Sequence, residues 1–167
     1  MKIFWYVVIV VAFFAAGAAR ADDASFLDSL EGSWTGSGLV KVRLKALPVN
    51  VNCKFSTRTD SAALLLNGTC RGLILISRTI AADLKHNGAQ YSGTYVGPDG
   101  DVAGLAGGRR GNVISLTIHW PRVINGDRTA SLRLQKIGND GMTLTTTDND
   151  PASGRDVITS QINLRRT

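Results

Sequence analysis

Leu30-Glu31-Gly32-Ser33-Trp34-Thr35-Gly36-Ser37-Gly38 is where the folded domain announces itself. From Trp34 the even positions read Trp34, Gly36, Gly38, Val40, Val42, Leu44, Ala46, and the odd ones Thr35, Ser37, Leu39, Lys41, Arg43, Lys45. Apart from Leu39, this is apolar against polar with a period of two. Only a strand with one buried face sends alternate side chains to opposite sides in this way. The glycines mark a bent or closely packed strand, as at a barrel corner. Just upstream, Phe26, Leu27 and Leu30 share one side at helical spacing, which predicts one or two helical turns over 24–30.

The alternation continues outward. Val49, Val51, Cys53, Phe55 and Thr57 oppose Asn50, Asn52, Lys54, Ser56 and Arg58, and Thr59-Asp60-Ser61-Ala62 reads as a tight turn. Leu64, Leu66, Gly68 and Cys70 form a third strand, and 73–84 a fourth, with Ile74, Ile76, Ile80, Ala82 and Leu84 in phase. Tyr91 to Tyr95 and Val102 to Ala106 follow, separated by the turn Gly97-Pro98-Asp99-Gly100. Pro121 ends or edges the strand from Ile114 to Trp120; Ala130 to Leu134 and Met142 to Leu144 come next. A polar loop is expected over 148–154, and a last strand carries Ile158, Ile162, Leu164 and Arg166. Short strands joined by turns, with no helical pattern between them, predict an all-β fold. Successive hairpins favour an antiparallel up-and-down barrel of about 8–10 strands, which leaves no exposed edge.

At the amino terminus, Met1-Lys2, the apolar run from Ile3 to Ala18 and Ala19-Arg20-Ala21 follow the pattern of a secretory signal peptide over 1–21. A single domain over 22–167 remains, so the expected location is periplasmic or secreted, with no membrane-embedded part after cleavage. Losing Lys2 and Arg20 takes the formal charge from +6 to +4. The cations are spread along alternating positions, which argues against a nucleic-acid site, since that needs a clustered patch with exposed aromatics.

Cys53 and Cys70 are the two cysteines, and both fall on apolar phases. A hairpin turning about Ser61 and Ala62 sets them directly opposite each other, so a cross-strand disulfide is expected in an oxidising compartment. Two cysteines alone do not make a metal site.

Catalytic chemistry has little to draw on. His86 falls in a turn and His119 on an outward phase; Glu31 is the single glutamate. There is no nucleophile elbow, zinc-type histidine pair or phosphate loop. No catalytic residue, metal or cofactor is expected. Gly107-Gly108-Arg109-Arg110-Gly111 reads as a hairpin turn, and Asn67-Gly68-Thr69 is a glycosylation sequon inside a strand. Arg78 breaks the pattern by falling on the apolar phase between Ile76 and Ile80. Either a β-bulge turns it to solvent, or it is an interior cation for a carboxylate-bearing ligand, with Tyr91, Tyr95 and Trp120 as the lining.

Gly32-Ser33-Trp34, after a helical turn and at the head of the first strand, resembles the Gly-x-Trp signature of lipocalins and their calycin relatives. The resemblance implies that Trp34 closes one end of the barrel, with a basic residue near the chain end, Arg166 or else Arg165, packed over its ring. The chain is also similar to periplasmic metalloprotease inhibitors, which share such a start, a barrel and one disulfide. The expected function is therefore non-enzymatic binding of a small amphipathic ligand; the alternative is a barrel with a protein partner, such as a protease inhibitor. Fold resemblance alone does not carry function.

Overall fold

The computed structural model describes residues 15–60, 62–72 and 76–167, with side chains from residue 22 onward. Residues 1–14 of the expected signal peptide, Ser61 of the expected turn and 73–75 at the expected head of the fourth strand lie outside the described residues. A helix, α1 (Ala15–Asp28), precedes β1 (Gly32–Val40), β2 (Val49–Asp60), β3 (Ala63–Gly72), β4 (Ile76–Asn87), β5 (Gln90–Val96), β6 (Val102–Arg110), β7 (Val113–Ile124), β8 (Asp127–Ile137), β9 (Gly141–Asp150) and β10 (Arg155–Arg166). Each strand pairs with the next, and β1 returns to pair with β10, so the ten strands close into one antiparallel barrel. Closure satisfies every edge within the chain itself.

Register decides which residues look inward. Cys53 stands opposite Cys70 in the β2–β3 ladder, and the two form the disulfide. The β1–β10 ladder sets Trp34 against Arg166, Gly36 against Leu164 and Gly38 against Ile162. A methyl group on Gly36 would stand 1.9 Å from the Asn163 carbonyl oxygen, so only glycine lets β1 lie this close to β10.

The end where β1 begins is sealed. Trp34 is fully buried, and its indole N–H donates to the Leu30 carbonyl at 3.1 Å and to the Thr57 hydroxyl at 3.0 Å. The Arg166 guanidinium lies 4.3 Å from the centre of the Trp34 ring and donates to the carbonyls of Glu31 and Ser29. Gly32 has φ 133°, and any side chain there would run into this guanidinium. Leu27 and Leu30, from α1 and the link after it, complete the plug. A second anchor is ionic. Asp23 of α1 is buried and accepts from Arg109 Nε at 2.5 Å and from the Tyr91 hydroxyl at 3.0 Å, while Asp22 takes another guanidinium nitrogen. Arg109 also lies over Phe26, at 4.9 Å from the ring centre.

Four boundaries differ from expectation. The helix is 14 residues rather than one or two turns, and it runs through the expected cleavage position. The alternation that carried β1 to Ala46 overshoots: the strand ends at Val40, and Val42 and Leu47 stand exposed in the link to β2. Pro121 does not end β7, which continues to Ile124; the β7–β8 ladder is interrupted there, between His119 and Ile124, so no ladder donor is lost. Asp148 belongs to β9 and is buried, so the loop shortens to the turn after Asp150.

Breaking the disulfide with Cys53→Ala is expected to lower stability by about 2–4 kcal/mol in urea unfolding, with the barrel's circular dichroism retained. Trp34→Ala should cost about 3–5 kcal/mol as a large core deletion. Arg109→Met leaves the Asp23 carboxylate buried and uncompensated, an expected loss of about 3–5 kcal/mol; Asp23→Leu combined with Arg109→Met should recover much of it. A loss for Arg109→Met below 1 kcal/mol would show that the clamp carries no weight.

Candidate functional site

Burial along the inward phase falls toward the other end on β4 and β1, while on β6, β7 and β8 it holds, with Ala103, Ile118 and Ala130 all buried. On β4 the inward positions run from Leu84, 3% exposed, through half-buried Ala82 and Ile80 to exposed Arg78 and to Ile76 at 48%. On β9 Met142 is buried, while Leu144 and Thr146 keep partial solvent contact; on β10 Leu164 and Ile162 are buried and Ser160 is not. On β1 the sequence Trp34, Gly36, Gly38, Val40 opens in the same way. The barrel is a cup packed at the sealed end, whose β1 and β4 side meets solvent at the other end.

The four residues expected to line a ligand site separate. Tyr95 and Trp120 meet in the upper half, edge to face, with ring centres 5.8 Å apart. A methyl on Gly97 would be 3.4 Å from the Tyr95 ring and 3.5 Å from Trp120, so the β5–β6 turn backs this pair. Tyr91 is elsewhere. It is four residues back along β5, so roughly 13 Å nearer the sealed end, where it holds Asp23 and stacks on His86 at 5.7 Å. Its role in the described structure is in the plug.

Arg78 corrects both readings offered for it. The β3–β4 ladder runs without a bulge, and Arg78 stands opposite inward-facing Cys70, so it is on the inner phase. It is nevertheless exposed, because it lies at the rim. Alternation reports which face a residue is on, and height along the barrel decides whether that face is dry.

Two features went unnoticed in the sequence. Asp148 and Thr159 are buried together, the Thr159 hydroxyl donating to Asp148 Oδ2 at 2.6 Å. The β9–β10 register shifts between Ile158 and Ser160, and the extra residue is Thr159. Continuing the Met142, Leu144, Thr146 phase by one step would have found Asp148. The second is the state of the Trp120 indole, a ring already expected in the lining. Its indole nitrogen is buried and has no hydrogen-bond partner, the one such side-chain atom among the described residues.

An apolar interior with an aromatic pair carries an unpaired donor, a carboxylate–hydroxyl pair and a cation at the mouth. Among the described residues no group of three or more histidine, cysteine, aspartate or glutamate side chains is placed to hold a metal. Two shallow grooves lie on the outside of the wall, over β1–β4 and over β1, β10 and β9, lined largely by Ser, Thr and Asn side chains. No helix of the described residues is long and apolar enough to cross a membrane.

Burial pushes the Tyr95 phenol up to about 12, and burial with the neighbouring Asp23 carboxylate raises Tyr91 as well. Both therefore hold their protons in the folded state above the ordinary value of 10. Unfolding releases those protons, so stability is full below pH 10 and falls as pH rises toward 12. A spectrophotometric titration should show neither phenol ionising at its ordinary pH, with the step near 12 removed in Tyr95→Phe. Ionisation of Tyr95 at pH 10 would mean that its site is wet.

Comparison with known proteins places the fold. No family model and no curated protein matches the sequence. Solved structures do match in shape. Rv2717c from M. tuberculosis superposes with a TM-score of 0.63 at 14% identity, over 86% of this chain and 96% of that one. The S-type phycobiliprotein lyase CPES from Guillardia theta superposes with a TM-score of 0.55 at 11% identity, over 92% of this chain and 97% of that one. The chain shares a barrel fold of the lipocalin or calycin type with these proteins.

Proposed function

We propose that this barrel is a non-enzymatic carrier, periplasmic or secreted, which holds a small amphipathic ligand in the upper half of its cup. The observation that carries the reading is the buried, unpartnered indole N–H of Trp120 on an apolar wall that is only partly buried. An unsatisfied buried donor costs about 1–3 kcal/mol, and an acceptor on a ligand would remove that cost. Val40, Ile80, Tyr95 and Leu132 offer the apolar wall, each packed on the core and each only partly buried. Arg78 at the rim supplies a cation for an anionic head group. The Cys53–Cys70 bond suits an oxidising compartment, in keeping with export. The fold shared with a phycobiliprotein lyase is in keeping with a ligand-holding barrel.

Native mass spectrometry of protein taken from its own compartment is expected to show a retained small molecule. Anilinonaphthalene sulfonate, an anionic amphipathic fluorophore, should bind in the cup. Trp120→Phe, which keeps a ring and removes the donor, should weaken it by about five- to tenfold, the worth of one hydrogen bond. Arg78→Gln should weaken the anionic probe and spare a neutral one. Unchanged affinity in both variants, with no molecule retained, would end this reading; a co-purifying protein in its place would favour the protein-binding alternative.

A further inference from the structure

The rim of the cup differs from the rest of the surface. Among the described residues nine large hydrophobics stand exposed, and seven of them, Leu39, Val42, Leu47, Ile76, Val102, Val123 and Ile158, belong to the strand ends and links at the open end. Leu47 is 86% exposed and Val42 79%, so neither is a core residue partly uncovered. Both are in the β1–β2 link, between residues 41 and 48.

Charge is segregated along the same rim. No aspartate or glutamate occurs between Glu31 and Asp60, or between Asp60 and Asp83. Within those segments Lys41, Arg43, Lys45, Arg71 and Arg78 all fall at the open end, four of them exposed and Lys41 partly so. The β1–β2 link and the end of β3 are neighbours, because β2 and β3 are paired and Gly72 lies against Val49 and Val51. The other side of the rim is different: Arg122 is engaged by Asp101 and Asp99, and Arg128 lies beside Asp127 in sequence. The one acidic group felt across the boundary is Asp150, whose carboxyl is held below its usual range by the Ser153 hydroxyl and the Ala152 amide, with Lys45 a smaller contributor.

We propose that the lip formed by the β1–β2 link and the facing ends of β3 and β4 docks the mouth of the barrel onto an anionic lipid bilayer. Exposed apolar side chains flanked by cations at the rim match such a surface on both counts. The apolar groups enter the acyl boundary, and the cations pair with acidic head groups. Docking there turns the open end toward the lipid. The inference does not depend on what the cup holds: Arg78 is the one residue it shares with the ligand reading, and the variants that test it leave Arg78, Tyr95 and Trp120 in place.

The test is vesicle co-sedimentation of the protein as exported, with its amino terminus established by mass and identical in every variant. Phosphatidylcholine vesicles containing about 30% phosphatidylglycerol should sediment it, pure phosphatidylcholine should not, and about 0.5 M NaCl should release it. Reversing Lys41, Arg43 and Lys45 to glutamate should lower partitioning by at least about tenfold. Val42→Asp with Leu47→Asp should weaken binding further than Lys41→Gln with Arg43→Gln, although the two pairs change the net charge equally. Arg122→Gln with Arg128→Gln, on the opposite side, should change little. Equal binding to both vesicle types, no binding to either, or equal losses from the two sides of the rim would each overturn the proposal. So would unaltered partitioning in the triple reversal with the fold intact by circular dichroism.

Discussion

The seam between β1 and β10 is the constraint on which the remainder depends. A ten-strand meander without it would present two long unpaired edges, each a template for aggregation. The seam is held at one end by a cation over an indole, a contact worth about 0.5–2 kcal/mol. Its larger value is positional. The Arg166 guanidinium ties the last strand to the carbonyls of Ser29 and Glu31, and Trp34 ties the first strand to Leu30 and Thr57. One cluster thus fixes the helix link, the first two strands and the last. Gly32 is required because the guanidinium occupies the space a side chain would need.

That plug frees the opposite end. Small domains are marginally stable, so a fold whose inward wall is only partly buried along β1 and β4 must gain its stability elsewhere. Here the large buried side chains gather below: Trp34, Tyr91, Leu27, Leu30, Ile114 and Met142. The disulfide crosses the wall at the height where burial begins to fail on β3 and β4, opposite Arg78. Above it the wall is held by ladder hydrogen bonds more than by core contacts. Elements with few buried contacts are drawn from the low-stability end of a structure, which is where a ligand entrance belongs.

The wall was legible in the sequence because a period of two encodes faces. It located the disulfide, since facing cysteines need only a hairpin centre, and it placed Trp34 beside Arg166, since closure makes the first and last strands neighbours. It did not encode height. Arg78 and Ile80 read as interior because their phase is interior, and only the three-dimensional position of the rim shows that this phase opens to water there. The same gap explains Tyr91, which shares a strand and a face with Tyr95 yet serves the plug. Val42 and Leu44 continued an alternation that the backbone had already abandoned. The Asp23–Arg109 clamp spans 86 residues and was invisible to any local pattern. Arg109 looked like turn chemistry because three glycines surround it, although it occupies the next inward position after Ala103, Leu105 and Gly107.

The position of that clamp bears on how export and folding fit together. The expected cleavage follows Ala21, and the two carboxylates that hold Arg109 are Asp22 and Asp23, the next two residues. Cleavage there would keep both carboxylates and set the new amino terminus on Asp22, which is exposed. A cut two residues later would remove them and leave a nearly buried guanidinium facing the Tyr91 hydroxyl with no counter-charge. A buried charge stripped of its partner is among the costlier defects a small domain meets. The sealed end therefore limits where the chain tolerates processing: the junction must lie before Asp23 or the plug loses its ionic half. By the same logic Phe26, Leu27 and Leu30 would still reach the core, so the apolar half of the plug would outlast the ionic half if the chain were trimmed.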